Sequence, residues 1–114
     1  MPQPSCLALP LLPGTTDIDR DEMLDCWRGE RAVEHRASRA RCGITREAVW
    51  IQPTPTGDLA IVLLESDDLA ASMFRIATSN EPFDAWFRAH VKAVHGVDPA
   101  AGMNLPEQIL DHVA

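Results

Sequence analysis

Four histidines, three cysteines and three tryptophans are the side chains of this 114-residue chain best suited to move a proton, hold a metal or stack on a ring. The densest group lies in PFDAWFRAHVKAVHG, Pro82–Gly96. There Phe83, Trp86, Phe87, His90, Val91 and Val94 recur at helical spacing, which places them along one side of a helix. His90 therefore sits inside an apolar stripe. It is either a hydrogen-bonded histidine at the core edge or a pocket base titrating in the range useful for proton transfer. His95 lies well round the helix from it, so the two cannot form the i, i+4 metal pair of a helix-borne site. Its place is beside the negative end of the helix dipole.

A second candidate is Glu30, which falls in the apolar stripe of an earlier helical segment with Cys26, Trp27, Val33 and Ala37. A carboxylate there either reaches the edge and pairs with an arginine or lines a cavity with a raised pKa. Glu34 lies nearer the edge, and His35 points to the solvent side. On a strand, Trp50 shares a face with Ala48 and Arg46, and Glu47 shares the other with Val49 and Ile51. Trp50 reads as core or dimer interface, or as a stacking platform for a ligand. The cysteines, Cys6, Cys26 and Cys42, are odd in number and lack C-x-x-C spacing, so neither a disulfide framework nor a zinc site is expected. There is no Gly-rich phosphate loop, no nucleophile elbow and no metal-ligand cluster. No cofactor is expected.

The formal net charge of −7 argues against nucleic acid and anionic membranes, which call for a basic footprint. A local exception carries Arg28, Arg31, Arg36, Arg39, Arg41 and Arg46. Interleaved with Glu30, Glu34 and Glu47, it is either a solvated helix face or a patch for an anion or an acidic partner. A hydrophobic content of 46% supports a folded core in one domain. MPQPSCLALPLLPG has no basic leader region and is broken by prolines, and no stretch is long enough to span a membrane. A cytoplasmic protein is the expectation.

These candidates must be positioned by a small set of elements. SCLALPLL, Ser5–Leu12, reads as a strand that Pro10 confines to a sheet edge or bulge. A helix follows from about residue 17 to 41, ended by Gly43. Gly29 within it marks close packing or a break. ITREAVWIQ and DLAIVLLE form a hairpin about PTPTG. Ser66 caps a second helix, with Asp67 and Asp68 at its positive end. Pro82 opens the third. EQILDHVA closes as a strand or a short helix; the strand completes the ferredoxin-like β-α-β-β-α-β plan, an α+β fold with one extra helix. In DLAIVLLE, Leu59, Ile61 and Leu63 face one way and Ala60, Val62 and Leu64 the other. Both faces are apolar, so both need cover. Helices supply one. An identical chain supplies the other, giving a homodimer with sheets face to face.

This order of elements, the length and the apolar sheet resemble the dimeric α+β barrel superfamily, which includes antibiotic-biosynthesis monooxygenase-like and haem-degrading proteins. More narrowly, ITREAVWIQPTPTGDLAIVLLESDD and ATSNEPFDAWFRAHVKAVHGVD resemble a family of short bacterial proteins of unassigned function. Haem-degrading members place a histidine on a helix of the second half, with an asparagine and a tryptophan near the haem. His90 and Trp86 match in type, but the spacing departs from that pattern and no asparagine stands on the first strand.

Two functions follow. One is a small enzyme, monooxygenase-like or isomerase-like, holding an apolar or aromatic molecule between sheet and helices. Trp27, Trp50 and Trp86 would line the pocket, and His90 or Glu30 would move a proton. The other is a non-catalytic dimeric binding or interaction module in which the same residues are core. The readings part on whether Glu30 and His90 converge on one cavity.

Overall fold

The computed structural model describes all residues, Met1–Ala114. Three strands, β1 (Gln3–Pro10), β2 (Ile44–Thr54) and β3 (Gly57–Ser66), form an antiparallel sheet in the order β1-β3-β2. Four helices back it: α1 (Thr16–Arg28), α2 (Ala32–Cys42), α3 (Leu69–Thr78) and α4 (Pro82–His95), with a short 3-10 turn at Pro99–Ala101. Because β3 runs antiparallel to both neighbours, β1 and β2 are parallel to each other. They are joined through α1 and α2, with β3 inserted between them. Pro10 does lie in an edge strand, where its missing N–H costs no ladder bond.

The helical segment expected over residues 17–41 is two helices, and of the two readings of Gly29 the break is the one that holds. At Gly29 an added Cβ would lie 2.2 Å from Asp25 Oδ1, so only glycine lets the chain turn this closely past the last turn of α1. Asp25 Oδ1 accepts the Glu30 N–H at 2.8 Å and closes the break. Gly43 and Gly96 end α2 and α4 with φ of 76° and 72°, the left-handed region where glycine has no Cβ to clash. The N-cap of α3 is Asp68, which accepts from the Ala71 N–H; Ser66, expected there, is the last residue of β3. Its hydroxyl is drawn inward to Ser72 Oγ at 2.6 Å.

Register settles the two faces of the sheet. Leu7 pairs with Val62, Leu9 with Ala60, Glu47 with Leu64 and Val49 with Val62, so these side chains share one face. That face meets the helices. Leu7, Ile44 and Leu64 pack with Cys42 of α2 and with Leu69 and Ile76 of α3, and Ala60 and Leu11 pack with Val94 of α4. The opposite face carries Cys6 with Leu63, Ala8 with Ile61, Ala48 with Leu63 and Trp50 with Ile61. No helix covers it, and Trp50 is 52% exposed.

The tail is corrected on both counts: residues 102–114 form neither strand nor helix. A closing strand needs a ladder. The free edge of β1 offers Pro4 and Pro10, which cannot donate, and Pro106 leads into the segment. The tail passes Pro4, Ser5 and Cys6 of β1 without pairing, and Ile109, Leu110 and Val113 stay 82–87% exposed. No helix is long and apolar enough to cross a membrane.

Candidate functional site

The layer between helices and sheet is unusually ionic. His90 on α4 is 8% exposed, and its Nε2–H donates to Asp19 Oδ1 of α1 at 2.7 Å; Asp19 is 2% exposed. Trp86, one turn earlier, stacks on the His90 ring at 5.5 Å and 20°. The Arg31 guanidinium lies 3.9 Å over Trp86 and donates to Glu22 and Asp25 at 2.7 and 2.9 Å. His90 and Trp86 therefore meet as the stripe spacing of α4 predicts. They meet inside the packing, not at the wall of an open pocket.

A second chain of contacts runs from α2 to β2. Glu47 Oε1 accepts from His35 Nε2 at 2.6 Å and from Arg39 Nε at 2.8 Å, while its Oε2 accepts from Arg39 Nη2 at 3.2 Å. Burial opposes the charge on Glu47. The hydrogen bonds and positive charge of His35 and Arg39 outweigh it and hold the carboxyl down at about 2. Arg39 is buried too, yet Glu47 keeps its guanidinium charged and raises its pKa. Arg39 Nη1 donates to Ser38 Oγ at 3.0 Å, and Ser38 donates on to Asp84 of α4. Asp84 also accepts from Ser79 at 2.5 Å and Arg41 at 3.2 Å. Burial again opposes the charge, and the donors from Ser38, Ser79 and Arg41 win, lowering the Asp84 pKa. Every buried side-chain nitrogen and oxygen has a partner.

A cleft of about 450 Å³ opens between α1, α2 and β2. Met23, Leu24, Cys26, Trp27 and Val49 form its apolar wall, and His35, Arg36 and Glu47 its polar end. Cys26 is no nucleophile there. Burial pushes its thiol up to about 11, so it stays protonated near neutral pH. No group of three or more His, Cys, Asp or Glu side chains is arranged to hold a metal ion.

The expected pair of Glu30 and His90 does not form. The helix ends at Arg28, so Glu30 sits in the α1–α2 turn, exposed, with no hydrogen bond or ion pair from its carboxylate. Trp27 does line the cleft, 64% exposed, with the Arg28 guanidinium 3.6 Å over its ring. Trp50 stands on the open sheet face, and Trp86 is enclosed by Phe83, His90 and Arg31. His35, read as solvent-facing, turns in to Glu47 because the break at Gly29 rotates α2 relative to α1. Glu47 sharing a face with Val49 and Ile51 was the signal that a strand carboxylate would need a buried partner. His95, beside the end of α4, bonds Pro10 O through Nδ1 at 2.9 Å and ties that end to β1.

Since Asp19 loses its partner when the ring is removed, His90→Ala is expected to lower stability by about 2–4 kcal/mol. Urea unfolding measures it. A change below about 0.5 kcal/mol, the level of a surface position, would mean that the ring lines an open site instead.

No family model matches this chain, and no curated protein matches it in sequence.

Proposed function

We propose that this protein is a non-catalytic homodimeric binding and interaction module, with two chains meeting sheet to sheet as in the dimeric α+β barrels. One observation carries the reading: Ala8, Ala48, Trp50, Leu59, Ile61 and Leu63 form an apolar sheet face that no helix covers, touched only near Leu63 by the tail at Pro106–Gln108. The surface area supports it. A monomer of 12.5 kDa ordinarily exposes about 6,200 Å². This chain exposes 7397 Å². The excess, roughly 1,200 Å², is shared between the uncovered sheet face and the exposed tail of residues 102–114, both of which a partner would cover. On this reading the chain is a ferredoxin-like unit. Ile109, Leu110 and Val113 of its last segment, exposed in the single chain, gain cover against the partner.

The enzyme reading built on His90 and Glu30 loses support, because one is paired and enclosed and the other faces solvent. A monooxygenase-like or isomerase-like activity would have to be built at the cleft, where His35 is held by a fixed carboxylate. Native mass spectrometry tests the dimer. Twice the 12.5 kDa chain mass is expected at micromolar concentration, and a monomer there would overturn the reading. Added mass on the dimer would identify an enclosed occupant.

A further inference from the structure

Six arginines lie between Arg28 and Arg46, and their partners divide them. Arg31 pairs with Glu22 and Asp25, Arg39 with Glu47, Arg41 with Asp84, and Arg46 with Glu65 at 3.9 Å. Arg28 and Arg36 have no carboxylate partner. Arg36 borders the cleft between α1, α2 and β2; Arg28 does not line it but lies over Trp27, which forms its wall. In a chain of net charge −7 this leaves a local positive end on an otherwise apolar cleft.

The acid within the cleft does not cancel that charge. Glu47 is already engaged by Arg39 and His35. The volume, about 450 Å³, falls within the ordinary range of small-molecule sites, and the lining follows their pattern of apolar walls with few polar groups. Cys26, protonated, adds to the wall and not to the charge.

We infer that this cleft binds a small carboxylate: a flat or branched apolar body against Trp27, Leu24 and Val49, with its anionic group at Arg36. Neither the dimer nor the sheet face enters this inference. The carboxylate would accept a charge-assisted hydrogen bond from a guanidinium that has no competing acid. His35, fixed at Nε2 by Glu47, borders the same end.

The test is an NMR titration of the ¹⁵N-labelled full chain with 1-naphthoate, and in parallel with the neutral 1-naphthylmethanol. The three indole N–H signals report separately on Trp27, Trp50 and Trp86, with Trp27→Phe used for assignment. Expected is a saturable shift of the Trp27 signal, with naphthoate binding about tenfold more tightly than the alcohol, the size of one charge-assisted hydrogen bond. Arg36→Gln, at an exposed position, should bring naphthoate down to the level of the alcohol and leave the alcohol unchanged. Shifts centred on Trp50 would place the probe on the open sheet and overturn the inference. So would no saturation by millimolar probe, or a charge preference that survives Arg36→Gln.

Discussion

Trp50→Glu is expected to break the proposed dimer into folded monomers while changing the chain's own stability by no more than about 0.5 kcal/mol. Trp50 is half exposed on β2, directly opposite Ile61 of the central strand, on the face no helix covers. In an isolated chain a glutamate there meets water, and the loss of a half-exposed indole is small. Between two apolar sheets it would be an unpaired buried charge, which costs several kcal/mol for each chain. Sedimentation velocity across a concentration series separates the cases, with urea unfolding of the variant as the check that it remains folded. If Trp50→Glu sediments as wild type does, the sheet face is not the interface. Leu24→Glu, in the cleft wall of the helical layer, should leave the proposed dimer intact.

A comparably large effect is expected at Glu47, and it is pH-dependent. The folded-state pKa is held at about 2, against an ordinary value of 4.5. A depressed carboxyl contributes stability that is complete above its unfolded value and is lost as pH falls through the folded one. The window is therefore about pH 4.5 down to 2, and the loss across it about 3 kcal/mol. Glu47→Gln removes that contribution at neutral pH. It also leaves Arg39, 6% exposed, without its counter-charge, so the variant should be about 3–5 kcal/mol less stable at pH 7. Its stability should then fall less steeply in acid, with Asp84, also depressed, supplying the remaining slope. Urea midpoints for both proteins from about pH 7 to 3 give the answer. Parallel curves would mean that Glu47 does not carry the acid sensitivity.

The local elements were legible in the chain because their causes are local. Pro82 and Gly96 bracket α4, Gly43 ends α2, and PTPTG turns β2 into β3; each acts through its own backbone preference or that of a neighbour. The two-faced apolar run of β3 announced that both sides of the sheet need cover, and helices cover the side of Ala60, Val62 and Leu64. Periodicity also placed His90 in its stripe beside Trp86. What failed at this level was continuity. Met23, Cys26, Trp27, Val33 and Ala37 keep helical spacing across Gly29, but the break depends on Asp25 folding back on the Glu30 N–H, which spacing does not register. That one turn moved Glu30 out to solvent and brought His35 in.

The chain alone carries the order of its strands and helices up to Gly96, the apolar character of both sheet faces, and a basic segment from Arg28 to Arg46 in which six arginines outnumber Glu30 and Glu34. Tertiary structure alone decided which of those charges meet. His90 finds Asp19 across 71 residues, Ser38 finds Asp84 across 46, and Arg39 shares Glu47 with His35. Desolvation is the reason. A buried charge must be matched by whichever partner the packing brings within about 3 Å, so pairing follows from the arrangement of helices in space, and spacing along the chain carries no record of it. The same packing left Arg28 and Arg36 without acids.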